Sequence, residues 1–201
     1  MQPILLASSS PYRRELLARL GLAFEWGSPN IDESAYINED ADSLVNRLSF
    51  AKAKALAAEY PNHLIIGSDQ VAVLGDQIIG KPHTHERAFA QLCAASNKEV
   101  IFKTGLCLFN AATNEAQISV EEFRVHFRAL SDEQINHYLT IEQPYDCAGS
   151  FKCEGLGIAL FTKLSGDDPN TLVGLPLIRL VDMLKNAEID PLLLAQQNLT
   201  N

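Results

Sequence analysis

Hydrophobic residues change their spacing along this chain in a way that separates strands from helices. Ile4-Leu5-Leu6-Ala7 is a short continuous apolar run, which suits a buried strand, and Ser8-Ser9-Ser10-Pro11 follows it. Leu16, Leu17 and Leu20 then recur at helical spacing. Ser10 predicts the N-cap of that helix, Pro11 its first residue and Gly21 its end. Leu44, Leu48, Ala51 and Ala55 mark one stripe of a second helix, predicted from about Asp42 to Tyr60. His63 to Leu74 reads as a long strand, apolar at both ends and polar in the middle. Gly75-Asp76 separates it from Gln77–Ile79 as a tight hairpin turn.

Farther along, Glu86 to Ala95 predicts a helix, and Val100–Phe109 and Ile118–Phe127 predict two strands. Ser131 opens a helix through about Leu139, and Gly157–Leu164 reads as a strand. After Gly174 and Pro176, the stripe Leu177, Leu180, Val181 and Leu184 marks a last helix. Strands alternate with helices, but hairpins intrude, so the pattern predicts α/β with a mixed sheet and not a purely parallel one. At 201 residues a single domain over 1–201 is expected, with 186–201 as a tail of no clear pattern.

Composition narrows the function classes. With 47% hydrophobic and 20% charged residues the chain is an ordinary globular one, which excludes disorder and disulfide-stapled mini-proteins. A net charge of −9 argues against non-specific nucleic-acid binding but leaves room for a locally basic pocket. No apolar run approaches the roughly 18 residues of a membrane span, and Met1-Gln2-Pro3 carries no basic leader signal. Cys93, Cys107, Cys147 and Cys153 lack C-x-x-C spacing, so reduced thiols in a cytoplasmic protein are expected. Neither G-x-G-x-x-G nor G-x-x-x-x-G-K-[ST] occurs.

Four constellations could carry chemistry. In Ala7-Ser8-Ser9-Ser10-Pro11-Tyr12-Arg13-Arg14 a polar turn enters a helix whose free N–H groups attract anions. Cations in that first turn oppose the helix dipole unless an anion offsets them; phosphate binding and a simply capped helix both fit. In Gly67-Ser68-Asp69-Gln70 a carboxylate sits inside an apolar strand, which is costly unless it is paired or metal-bound. Extending the register of the Gly75-Asp76 hairpin puts Lys81 opposite Gln70 and beside Asp69. Lys52 falls on the apolar stripe of its helix, where it either snorkels or points into a pocket. Glu33 is a loop acid with no decisive context. Gly149 to Gly155, with Asn170 to Pro176 downstream, would permit close backbone approach to a ligand or form ordinary turns.

Taken together, Ala7 to Arg14, Ile31-Asp32-Glu33, Lys52-Ala53-Lys54, Gly67 to Gln70, Gly80-Lys81-Pro82, Ala148 to Phe151 and Val173 to Pro176 resemble the Maf-like nucleotide pyrophosphatase family, from about residue 4 to 185. The resemblance implies an elongated mixed sheet flanked by helices, in two lobes with a central cleft, and a homodimer. It implies hydrolysis of a nucleoside triphosphate to monophosphate and diphosphate with Mg2+ or Mn2+. Asp69 matches the proton acceptor, and Ser8, Arg13, Lys52 and Lys81 match phosphate-site positions. Glu33 matches an acidic active-site position and, with Asp69, a metal position.

One branch of the family prefers dTTP and UTP. This chain departs from its motifs at Tyr12, Gln70 and Glu154 and there resembles the branch acting on 7-methyl-GTP. The chemistry agrees. Glutamate only accepts, which suits the N–H donors of guanine, whereas glutamine both donates and accepts, which suits uracil or thymine. An aromatic ring such as Tyr12 could attract the cationic 7-methylguanine. A nucleotide-binding regulator of septum formation that needs no turnover is the alternative of another class.

Overall fold

Residues on alternate sides of the central strands enter two different cores. The computed structural model describes residues 2–195. Its strands are β1 (Ile4–Ala7), β2 (Phe24–Gly27), β3 (Leu64–Leu74), β4 (Gln77–Ile79), β5 (Glu99–Asn110), β6 (Glu115–Phe127) and β7 (Phe161–Ser165). They hydrogen-bond in the order β2-β1-β3-β5-β6-β7, with β4 paired to β3. β1 runs parallel to β2 and β3, whereas β3–β4 and β6–β7 are antiparallel. The sheet is therefore mixed, as the interrupted strand–helix alternation predicts.

The described chain divides by its contacts into two compact units. The first comprises residues up to Asp69, Thr104–Glu121 and residues from Asp168 on; the second comprises Gln70–Lys103 and Glu122–Asp167. In the first unit, Ile4, Leu6, Leu64, Ile66, Leu106 and Leu108 turn to one face. There they pack against α1 (Pro11–Ala18) and α6 (Leu177–Asn186). Leu5, Ala7, Ile65, Cys107 and Phe109 turn to the opposite face, against α2 (Ala41–Ala55). This is the two-residue period of a sheet covered on both sides.

Glycine sets how closely α2 approaches. A Cβ built on Gly67 would lie 2.1 Å from the Ser49 carbonyl oxygen, and one on Gly105 would lie 2.1 Å from that of Val45. Backbone thus meets backbone at both positions. Gly67→Ala is expected to lower stability by about 1–3 kcal/mol, seen as a fall of several degrees in the thermal midpoint. An unchanged midpoint would contradict this packing.

The second unit holds α3 (His85–Ala95), α4 (Asp132–Glu142) and an aromatic cluster. Phe151 makes edge contacts with Phe102, Phe127 and Phe161 at centroid distances of 5.3, 5.8 and 4.7 Å. Such T-shaped pairs add to plain area burial. Gly149 has φ +74°, and an added Cβ would lie 3.0 Å from the Phe102 ring. A side chain there would meet both strain and crowding.

The boundaries differ from the sequence expectations at identifiable places. β2 was not expected: it has one neighbour, β1, and its exposed Glu25 and Trp26 leave no apolar alternation to read. α2 ends at Ala55 instead of Tyr60, because Leu56 and Ala57 donate to carbonyls three residues back and wind the helix down. The strand expected over Gly157–Leu164 is a 3-10 helix at Leu156–Leu160 before β7 begins. Short apolar runs do not by themselves distinguish strand from tight turn. Within the tail, Pro191–Leu194 forms a short helix, α7 (α5 being Asn170–Val173), and residues 196–201 lie outside the described residues. Among the described residues, no helix is long and apolar enough to cross a membrane.

Candidate active site

The sheet alternation decides which helix Asp69 meets. Gly67 and Asp69 lie two residues apart on β3 and share the face that receives α2. Lys52 follows Leu44, Val45, Leu48 and Ser49 along the buried stripe of α2. Its Nζ donates to Asp69 Oδ1 at 2.6 Å and lies 3.0 Å from Glu33 Oε2. Lys52 and Asp69 are each 6% exposed, so Lys52 does not snorkel to solvent; it is aimed at two carboxylates. Lys52 also lies in the last turn of α2, where the helix dipole favours a cation.

Glu33 is placed by an anchored loop. Arg47 on α2 grips Glu39 with Nε at 2.6 Å and Nη2 at 2.7 Å, and its Nη2 also donates to the Ser34 carbonyl at 3.0 Å. Its guanidinium stacks 3.9 Å from the centroid of the Tyr36 ring. The Arg47 hydrogen bonds hold the Glu39 carboxyl down at about 2. A bidentate fork of this kind is the more specific form of ion pair.

Arg13 and Arg14 separate. Arg14 stacks over Trp26 at 4.1 Å. Arg13 donates from Nε to the Gly174 carbonyl at 2.8 Å and from Nη1 to the Ser68 carbonyl at 2.9 Å. Burial lowers the Arg13 pKa from its ordinary value, and the negative charges of Asp69 and Glu33 oppose that shift. α1 begins as its residues predict, with Ser10 Oγ accepting from the Arg13 N–H at 3.4 Å and no acid in its first turn. Ser8 is buried, and its Oγ accepts from the Ser10 N–H at 3.2 Å. A hydroxyl that accepts in this way still carries an O–H donor. Tyr12 stands on the same helix and is 37% exposed.

The first unit thus gathers Asp69, Lys52, Glu33 and Arg13. Three further residues support this group in roles that the sequence did not assign them. Ser68 is fully buried and donates its hydroxyl to the Gly174 carbonyl at 2.8 Å. Gly174, at φ +104°, presents the carbonyl that both Ser68 and Arg13 use. Asp168 is buried and accepts from the Asn170 N–H at 2.8 Å, from Asn170 Nδ2 at 2.7 Å and from the Ile178 N–H at 2.8 Å. It thereby caps α6, whose own cap, Pro176, contributes no side-chain acceptor. The Asp-Pro-Asn run ahead of that helix was the available signal.

One expectation about this group needs correction. The β3–β4 register starts as predicted, with Leu74 opposite Gln77, but the pairing ends at Ala72–Ile79. Gly80 and Lys81 are no longer strand, and Pro82 has no N–H to continue the ladder. The ladder therefore does not carry the register as far as Gln70 and Lys81, and the ammonium hydrogen-bonded to Asp69 is that of Lys52.

In the second unit, Lys81 and Glu154 both act on the Cys147 thiol. Burial raises that thiol's pKa, Lys152 and Lys81 oppose the rise, and Glu154 and Asp146 reinforce it. Glu154 also neighbours Cys153, whose thiol is pushed up to about 12, chiefly by burial. Gln70, half-buried on β3, begins this unit. Cys147 carried no sequence signal beyond its place before Ala148.

Among the described residues, no three His, Cys, Asp or Glu side chains are gathered as a metal cage. Asp69 and Glu33 converge on one ammonium, and a pair of carboxylates suits Mg2+, which binds through one or two carboxylates together with substrate phosphates. The donor set therefore fits a divalent cation.

In fold, the chain is similar to the solved structure of the Staphylococcus aureus Ham1 protein, with a TM-score of 0.52 and 11% identity, covering 94% of this chain and 100% of that one. It is 61% identical over 184 residues to the 7-methyl-GTP pyrophosphatase of Nitrosococcus oceani, covering 92% of each chain. It is 52% identical over 198 residues to the 7-methyl-GTP pyrophosphatase of Colwellia psychrerythraea, covering 98% of each. A family described as Maf-like protein matches residues 3–187, and the chain belongs to that family.

Proposed function

We infer that the chain is a nucleoside triphosphate pyrophosphatase that hydrolyses 7-methyl-GTP to 7-methyl-GMP and diphosphate. The observation that carries this reading is the extent of the match: 61% identity across 92% of both chains with a relative named for that activity. The buried Asp69–Lys52 pair with Glu33 supplies groups suited to the chemistry. In the reaction, water breaks the anhydride link between the α and β phosphates.

Asp69 accepts the proton of the attacking water. Lys52 orients the Asp69 carboxylate from 2.6 Å and stays close enough to meet negative charge as it develops. Arg13 and the Ser8 hydroxyl bind phosphate oxygens at the entry to α1. Arg13 and Lys52 are balanced by Asp69 and Glu33, so this group alone has no formal surplus with which to attract a polyanion. That balance supports a requirement for Mg2+ or Mn2+, held by Asp69 and Glu33. When bound, the cation would neutralise phosphate oxygens and polarise the anhydride. Lys81 joins the phosphate-binding set, and Tyr12, Gln70 and Glu154 select the base, as the resemblance implies. A homodimer and a cytoplasmic location belong to the same reading.

A substrate panel with diphosphate detection, with and without Mg2+ or Mn2+, tests the proposal. Release from 7-methyl-GTP well above that from UTP and dTTP is expected. Binding without release would favour a regulator, and preference for UTP or dTTP would favour the other branch. Glu154→Gln is expected to reduce the 7-methyl-GTP to UTP ratio of kcat/KM by about tenfold, the scale of one misplaced polar group in a binding site. An unchanged ratio would remove Glu154 from base selection.

A further inference from the structure

The backbone around Arg13 forms a closed clasp that phosphate binding by itself does not explain. Arg13 spans two neutral carbonyls, those of Gly174 and Ser68. The Ser68 hydroxyl donates at 2.8 Å to the same Gly174 carbonyl that receives Arg13 Nε at 2.8 Å. Both acceptor sites of that oxygen are therefore used. The Gly174 loop is held from behind as well. Its N–H donates to the Thr171 carbonyl at 3.0 Å, and Thr104 Oγ1 donates to that same carbonyl at 3.1 Å.

Ser68 lies between Gly67 and Asp69 on β3 but faces away from α2, with Leu64 and Ile66, toward α1 and α6. Its hydroxyl cannot reach the Lys52–Asp69 pair through its own side of the strand. What it touches is the anchor of Arg13. A guanidinium has five N–H donors in one rigid plane, so fixing Nε and Nη1 sets the direction of the rest.

Building on the pyrophosphatase reading, we propose that Ser68 is a positioning residue that fixes the Gly174 carbonyl and, through it, the plane in which Arg13 meets the substrate phosphates. A structural role limited to satisfying a buried hydroxyl would cost stability without depending on Arg13.

The test is a double-mutant cycle with Ser68→Ala and Arg13→Lys, read as kcat/KM for 7-methyl-GTP with thermal midpoints recorded alongside. Lysine cannot span both carbonyls, so it removes the clasp. Ser68→Ala is expected to lower kcat/KM about five- to tenfold in the Arg13 background and less than about twofold in the Lys background. If Ser68→Ala does not fold, Ser68→Cys, a weaker donor of similar size, takes its place.

Effects that multiply across the cycle, or a lower midpoint with kcat/KM unchanged, would overturn the proposal. Wild-type protein that releases no diphosphate would instead overturn the parent reading. The same cycle is then run on 7-methyl-GTP binding by calorimetry, where coupling supports the Ser68–Arg13 link and independent effects reject it.

Discussion

Asp69→Asn is expected to lower diphosphate release from 7-methyl-GTP by about a thousandfold or more, with the protein still folded. An amide is nearly isosteric with the carboxyl but accepts no proton from water. The fold should survive because Lys52 does not lose all compensation: Glu33 remains 3.0 Å from its Nζ. The amide oxygen can still accept from that ammonium. Release is measured by diphosphate detection, and folding by circular dichroism and the thermal midpoint. Activity within a few-fold of wild type in a folded variant would remove Asp69 from the chemistry.

Lys52→Met should affect stability most, by about 3–5 kcal/mol in urea unfolding, because it strands a buried carboxylate. Methionine keeps much of the apolar stem, so the loss reports the charge and not a cavity. The Asp69 side chain is 8% exposed, whereas that of Glu33 is 53% exposed and can turn to water. The penalty therefore falls on Asp69. Combining Lys52→Met with Asp69→Asn should recover most of the lost stability, since no buried charge is then left unpaired. A single-variant loss below about 1 kcal/mol would show that Asp69 is not held in a low-dielectric setting.

Arg13 and Lys52 show how far local pattern reaches toward the site. The serine turn, Pro11 and the helical spacing of Leu16 and Leu17 announced α1 and its cap, and the cap is there. They did not announce that Arg13 would turn to two carbonyls while Arg14 stacked on Trp26. That choice depends on β2, a strand with one neighbour and no apolar alternation, and on Gly174, 161 residues farther along the chain. Lys52 was legible as a lysine on an apolar stripe, but its partner was not. The extrapolated hairpin pointed to Lys81, and the ladder ended before reaching it.

Local residue order therefore determined most of the helices, the long β3 strand, the mixed character of the sheet and the presence of a costly carboxylate at Asp69. These follow from periodicity, capping and burial cost, which act over a few residues. Tertiary structure alone decided which cation meets that carboxylate and which carbonyl holds Arg13. The physical reason is close approach: α2 lies against Gly67 and Gly105 with no side chain between, and this brings Lys52 to Asp69. Contacts of that kind depend on the packing of segments distant in the chain, and no local spacing encodes them.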